Sequence, residues 1–244
     1  MSKTAPTGKV LGIVLFLFVA AIAGAGYFSF SDSIKKDAVP TAAATSPADA
    51  KPAADAKDTA PALDMSKITP AQPDDIVIGK ADAPVTIIDY SSLSCPHCAH
   101  FHKEVLPDVQ KEFIDSGKAK LVFRHFPLNE PALRAAQLVN CADAKQRVAF
   151  LKMLFEKQTD WAFSDSFLKN LKPLAALGGV DGAAFDSCIA DKASETHILD
   201  VRKLAAEAGN VNSTPSFIIN GVALQGTPNI SAFRDAIAKA STAK

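Results

Sequence analysis

The chain has no excess of charge of either sign: Lys plus Arg and Asp plus Glu number 26 each, and the formal net charge is zero. Without a basic cluster there is nothing to hold a phosphate backbone, which argues against nucleic acid as a partner. There is only one CxxC, and no HxxxH accompanies it. His97, His100 and His102 therefore lack the second ligand pair that structural zinc takes, and no metal is expected. No internal repeat is seen. Residues 32–74 are nearly devoid of large apolar side chains, being rich in Ala, Pro, Asp, Thr and Lys with prolines at 40, 47, 52, 61, 70 and 73. Such a stretch cannot bury enough surface to fold and reads as a disordered linker or a low-complexity leftover. It also lacks the heptads that would let it dimerise.

What the sequence does contain begins with Lys3 and Lys9, which precede an uncharged run from Val10 to Ser31. About 20 apolar residues suffice to cross a bilayer, with the lysines left on the cytoplasmic side. The run is also compatible with a signal peptide, because Ala21-Ile22-Ala23 and Ala23-Gly24-Ala25 offer small-x-small cleavage sites. Residues 1–31 are thus read as a signal peptide or a single-pass anchor, and either one exports the rest. As a tether, residues 32–74 would reach roughly 35 Å root-mean-square.

Order is expected from about Asp75. Ile76-Val77-Ile78 and Val85-Thr86-Ile87-Ile88-Asp89-Tyr90 are β-branched runs punctuated by Gly79 and Pro84, and Lys120 to Phe126 is a third such run, stopped by Pro127. Pro96 opens a helical stretch that Pro107 should kink. From about 130 to 209 apolar residues recur at helical spacing, with Val148, Leu151 and Phe155 on one face and Ile198, Val201, Ala205 and Ala208 on another. Phe217-Ile218-Ile219 and Val222-Ala223-Leu224 flank Asn220-Gly221, a strong hairpin signal. A final helix gathers Phe233, Ala236, Ile237 and Ala240 on one face.

Cys95-Pro96-His97-Cys98 lies where a strand gives way to a helix. Two cysteines at this spacing can close a disulfide across one turn. The first sits at a helix start, where unpaired N–H groups and the macrodipole favour a thiolate. A low-pKa thiol is a good leaving group, so a disulfide that includes it is a strong oxidant. His97, when protonated, would add a neighbouring positive charge, while Pro96 omits an N–H where none is needed. His100 and His102 read as exposed helix residues and His125 as a strand residue, without assigned roles. Asp89 shares a strand face with Val85 and Ile87 by period-2 alternation. A carboxylate on a buried face is costly unless it is used, and its expected task is to exchange a proton with Cys98. Alternatively, Asp89 ends its strand in solvent. Thr214-Pro215 puts a proline just ahead of a strand, which is tolerated without any function.

These residues together carry a family resemblance. Cys95-Pro96-His97-Cys98, with Asp89 before it and Thr214-Pro215 ahead of the last hairpin, resembles DsbA-type thioredoxin-fold oxidoreductases over about residues 75–241. The resemblance implies an α/β thioredoxin fold at 75–244 with a helical subdomain inserted near 128–208. It further implies that Cys95 exchanges with the substrate while Cys98 resolves, and that Pro215 is cis and contacts the substrate backbone together with Thr214. Exported cysteine-containing proteins would be substrates and a DsbB-type quinone-linked membrane oxidase the redox partner, with no bound cofactor. The location implied is periplasmic or otherwise extracytoplasmic, tethered to the membrane only if residues 10–31 are retained. Threonine before the proline also occurs in isomerase-type relatives, so an isomerase or reductase stays as an alternative, and a non-catalytic substrate-binding chaperone as a more distant one.

Cys141 and Cys188 remain. Each follows an apolar residue, Leu138 or Phe185, by three and so lies on an apolar helical face. Neither has neighbours that would lower its pKa, and an exported chain meets an oxidising compartment. They are expected to form a structural disulfide, the alternative being two separate buried thiols.

Overall fold

The structure, a computed structural model, describes residues 64–242. The expected anchor and most of the expected linker lie outside the described residues. The described part starts earlier than Asp75, with a short helix α1 at Met65–Ile68. Ile68 is 1 % exposed and Asp74 is also buried. The last part of the stretch read as linker is therefore packed, because one large apolar residue at position 68 is enough to seat it.

Five strands form one sheet in the order β1-β3-β2-β4-β5: Ile76–Ile78, Val85–Ser91, Ala119–His125, Ser216–Ile219 and Val222–Ala223 for β1 to β5. β2 and β3 are parallel, joined through a helical crossover, and the β1–β3, β2–β4 and β4–β5 pairs are antiparallel. That crossover runs head to tail through α2 (Pro96–His100), a π-helical turn (Phe101–Val105), α3 (Leu106–Val109) and a second π-helical turn (Gln110–Ile114). Pro107 sits at the start of α3, where its missing N–H cannot continue the ladder of the π-helical turn that ends with the Leu106 N–H on the Phe101 carbonyl. Between β3 and β4 come six helices: α4 (Glu130–Cys141), α5 (Ala144–Glu156), α6 (Gln158–Trp161), α7 (Phe167–Leu177), α8 (Gly182–Ala190) and α9 (Lys192–Gly209). Asn129, Asp143, Asp181 and Asp191 cap four of them by accepting first-turn N–H groups. Asn220-Gly221 turns β4 into β5, both residues at positive φ, and α10 (Ile230–Thr242) ends the described chain.

The sheet separates two apolar clusters. Val85, Ile87, Leu121, Phe123, Phe217 and Ile219 belong to the larger one, with Phe101, Val109, Phe155, Phe233 and Ile237 from the helices. Ile88, Tyr90, Val122 and Ile218 point the other way, towards Ile68, Ala205 and Val211. Period-2 alternation along the central strands accounts for the division. Cys141 at the end of α4 and Cys188 in α8 meet with Cα atoms 6.0 Å apart and sulfurs at bonding distance, within the range a disulfide needs.

The second cluster has a polar fastener. Arg124, buried in β3, donates to both carboxylate oxygens of Asp75 at 2.6 and 2.7 Å, to the carbonyls of Ile68 and Pro70, and to the Tyr90 hydroxyl. The planar guanidinium suits this because its donors fan out in a fixed fork. Removing it would leave the buried Asp75 carboxylate without its countercharge, with only the Gln72 N–H still donating to it. Arg124→Leu is expected to lower stability by about 3–5 kcal/mol and to expose residues 64–75 to protease, as measured by denaturant unfolding and limited proteolysis.

Candidate active site

The site forms where β2 ends. The loop Ser92–Ser94 leads from it into α2, and Cys95 is the N-cap residue, with extended backbone at φ −83° and ψ 122°. The loop is held from several sides. The Cys95 N–H donates to the Ser92 carbonyl at 3.0 Å, and the Ser94 hydroxyl donates to Asn129 at 2.9 Å. Gln158, from α6 in the helical region, donates its side-chain amide to the carbonyls of Leu93 and Cys95 at 2.8 and 3.0 Å. Pro96 and His97 are exposed, whereas Cys98 on the inner face of α2 is completely buried. Cys95 is less open than its expected role implied, at 6 % exposure, because Thr214 covers it.

That cover follows from strand register. β4 runs antiparallel to β2 with Tyr90 opposite Ser216, so the residues just before Ser216 arrive at the end of β2 from which the Cys95 loop departs. The Thr214–Pro215 peptide is cis. The Thr214 carbonyl accepts the Cys95 thiol at 3.4 Å, while the Thr214 hydroxyl is buried without a partner. A thiol has one proton to give, and here it goes to the carbonyl. Once that proton is lost, the unpartnered hydroxyl is a donor available to the sulfur.

Both sulfurs are free thiols, and their surroundings treat them oppositely. Cys95 is pulled down from 9.0 to about 5, chiefly by a hydrogen bond from the Cys98 thiol, against the opposing effect of burial. The Thr214 hydroxyl and the backbone N–H groups of Cys98 and His97 add to the lowering. The backbone N–H of His97 is thus one of the donors that favour the thiolate, while its side chain is exposed. Burial pushes Cys98 up, and its bond to Cys95 and the negative charge of Asp89 push the same way, while Ser91 opposes them. One thiol is ready to exchange and the other holds its proton.

Asp89 lies inside, with no exposure, and not at a solvated strand end. Its Oδ1 accepts the Ser91 hydroxyl at 2.5 Å and its Oδ2 meets His102 Nε2 at 2.8 Å. His102 was expected in solvent. It is buried, its ring stacked on Phe155 at 4.2 Å between centroids and edge-on to Phe101 and Phe123. His125 is also buried, which pulls it down to about 4. His100 is exposed. Among the described residues no cluster of three or more His, Cys, Asp or Glu is arranged to hold a metal ion, and no helix is long and apolar enough to cross a membrane.

Residues 71–239 match the thioredoxin family model. The crystal structure of Wolbachia pipientis alpha-DsbA1 superposes with a TM-score of 0.64 at 32 % identity, covering 69 % of this chain and 92 % of that one. The chain belongs to the DsbA-type thioredoxin family. A Rickettsia felis protein that carries a protein-disulfide oxidoreductase name is 34 % identical over 168 residues, 68 % of this chain and 60 % of its own length. The chain therefore spans rather less than two thirds of that relative. Disulfide bond formation protein D of Bacillus subtilis is 27 % identical over 178 residues, covering 67 % of this chain and 75 % of that protein.

Within this DsbA-type site, reasoning from sequence missed Ser91, His102 and Gln158. Two of them left a periodic trace. Ser91 follows Asp89 by two on a strand, and His102 follows Cys98 by four on a helix, so each shares a face with a residue already singled out. Gln158 left none, since its contacts span more than sixty positions and depend on how the helical region docks.

The depressed Cys95 value has a thermodynamic consequence. A thiol whose folded-state pKa lies below its unfolded one stabilises the fold above the unfolded value, and that stabilisation is lost as the pH falls through the folded value. Between about pH 5 and 9 Cys98 keeps its proton folded or unfolded, so of the two thiols Cys95 alone contributes to this slope, and groups such as the buried His125 cancel when the reduced and oxidised forms are compared. The reduced protein is expected to gain stability over the oxidised form as pH rises from 5 towards 9, in denaturation of both forms across pH, and Cys95→Ser should show a shallower rise than the reduced protein over the same range.

Proposed function

We propose that this protein is an extracytoplasmic thiol:disulfide oxidoreductase that introduces disulfides into exported proteins by exchange through Cys95 and Cys98. The observation that carries this reading is the opposite tuning of the two sulfurs, with Cys95 at about 5 and Cys98 raised. A stabilised Cys95 thiolate favours the dithiol over the disulfide, and a disulfide so disfavoured passes its oxidation on. A client thiolate attacks Cys95 Sγ, the Cys95–Cys98 bond breaks, and its electron pair leaves on Cys98, which takes up a proton. A second client thiolate then attacks the client sulfur of the mixed disulfide. This forms the client disulfide and releases Cys95 as thiolate.

The remaining assignments follow the same reading. Asp89 exchanges the proton with Cys98. Thr214 and Pro215 meet the client backbone beside Cys95, Pro96 starts the helix without an idle N–H, and His97 stands at the exposed rim. A DsbB-type quinone-linked membrane oxidase is the partner that restores the Cys95–Cys98 disulfide. Residues 1–31 export the chain or anchor it, and the linker that follows lets the folded part reach clients away from the membrane. Cys141 and Cys188 form a structural bridge that ties α4 to α8.

In Cys98→Ala the mixed disulfide has no internal thiol to resolve it, so this variant should accumulate covalent complexes with exported proteins, while Cys95→Ala accumulates none. Equal trapping by both would reverse the assignment, which non-reducing gels of whole cells decide. Thiol trapping in cells should find Cys95 and Cys98 mostly oxidised, since a mostly reduced pair marks an isomerase or reductase instead.

Cys141→Ala should cost about 4 kcal/mol in the chain-entropy account of a loop of this length, the separation being 47 residues. It should lower the Tm while leaving thiol exchange at Cys95 near its original rate.

A further inference from the structure

The buried Cys98 thiol has to release or accept a proton each time its disulfide forms or breaks, yet it has no exposure to water. The side chains around it are arranged in an order that bears on this. Asp89 and Ser91 are two apart on β2 and so face the same way, towards α2. Cys98 and His102 are four apart along the crossover helix and face back towards them. Both oxygens of the Asp89 carboxylate are engaged, Oδ1 by the Ser91 hydroxyl at 2.5 Å and Oδ2 by His102 Nε2 at 2.8 Å. Ser91 is also the neighbour whose hydrogen bonding favours the Cys98 thiolate. Exposure is 0 % at Cys98, Ser91 and Asp89 and rises only at His102, to 8 %.

We infer that Ser91, Asp89 and His102 form a proton relay that links the buried Cys98 sulfur to solvent, with His102 as its outer member and Ser91 as the link to the thiol. The inference rests on the exchange chemistry proposed above and adds the path that its proton takes. When the Cys95–Cys98 bond breaks and the electron pair leaves on Cys98 Sγ, the Ser91 hydroxyl gives its proton to that sulfur. Ser91 Oγ takes in return a proton from Asp89, which has first drawn it from His102 Nε2; the ring is reprotonated from solvent, and the Asp89 carboxylate again accepts the Ser91 hydroxyl on Oδ1. One O–H or N–H bond breaks and one S–H, O–H or N–H bond forms at each link, so one proton enters and no other co-reactant is needed. When Cys98 attacks a mixed disulfide, the same steps run backwards and the released thiol of the client leaves as thiolate.

The geometry also explains the ring's confinement. The stack on Phe155 and the edge contacts with Phe101 and Phe123 fix the imidazole with one nitrogen on Asp89, leaving the proton's position as its remaining freedom. A pair that only filled space and satisfied hydrogen bonds would affect both exchange steps alike, or stability alone. A relay acts on the exchange that makes or breaks the bond to Cys98, in both directions, and spares exchange in which Cys95 alone reacts.

The test is therefore a split between the two steps. The full chain, carrying a mixed disulfide between Cys95 and a cysteine-containing peptide, is followed by rapid-quench measurement of peptide release, which reads the Cys98 step. Attack of the reduced protein's Cys95 thiolate on a peptide disulfide, in which Cys98 neither makes nor breaks a bond, reads the Cys95 step. His102→Gln keeps a donor for Asp89 but cannot pass a proton through a ring, and Ser91→Ala removes the link to the sulfur. Each should slow peptide release by about tenfold or more, a modest share of what general acid–base catalysis supplies, while changing the Cys95 step less than about twofold. Should His102→Gln fail to fold, Ser91→Ala decides the matter by the same split. Slowing by Asp89→Asn with wild-type rates in both other variants would overturn the relay and leave Asp89 acting alone. Absence of peptide exchange in the wild-type protein would instead overturn the proposed function itself.

Discussion

The hydrogen bond from the Cys98 thiol to the Cys95 sulfur is the contact on which the rest of the site depends. It is the largest influence lowering Cys95 and one of the influences raising Cys98, so a single proton placed between two sulfurs sets both values at once. Such a bond favours the thiolate only if the donor cannot give the proton away. Burial of Cys98 and the negative charge of Asp89 meet that condition by making its own ionisation costly. The exposed helix start alone would lower Cys95 less and leave Cys98 free to compete for the charge.

The same condition creates a transport problem. A sulfur that must not ionise in the resting dithiol must nevertheless exchange its proton during turnover, and burial that serves the first requirement obstructs the second. Polar groups in the apolar interior are expensive unless they are satisfied. Asp89, Ser91 and His102 meet this cost by bonding to one another. Satisfaction and proton transfer thus use the same hydrogen bonds, and the carboxylate that raises Cys98 is also a member of the path that relieves it.

How far the sequence discloses this can be read from particular residues. The strands at 76–78, 85–91 and 119–125, the hairpin at Asn220-Gly221 and the helical region between β3 and β4 were all legible from periodicity and turn chemistry, because each signal lies within a few neighbouring positions. Cys95 and Cys98 were legible for the same reason. Asp89 was readable as buried because it shares a face with Val85 and Ile87. His102 was misread: a lone polar side chain on a helix normally faces water, and only the aromatic surfaces of Phe123 and Phe155, brought in from β3 and α5, make it an interior residue. Gln158 and Arg124 act across long separations that no local pattern encodes. Ile68 was overlooked because its surroundings are dominated by proline and alanine, although one buried isoleucine and the carbonyls on Arg124 hold the segment in place.

A further constraint comes from β2 itself. Its last residues alternate between two unlike tasks: Asp89 and Ser91 face the thiols and His102, while Ile88 and Tyr90 face the cluster in which Tyr90 joins Arg124 and Ile68. A slip of one residue in register would exchange the two faces. It would place a carboxylate against Ile68 and Val122, and set a tyrosine beneath Cys98. The register is set by the apolar residues that precede these, Val85 and Ile87 on one side and Ile88 on the other, paired with Leu121 and Val122 of β3 and with Ile218 and Ile219 of β4. Because β4 is zipped to the same strand, that register also fixes where Thr214 and Pro215 arrive over Cys95. The chemistry of the two sulfurs is therefore aligned from both sides by the packing of a few branched aliphatic side chains earlier on the same strand and on its two neighbours.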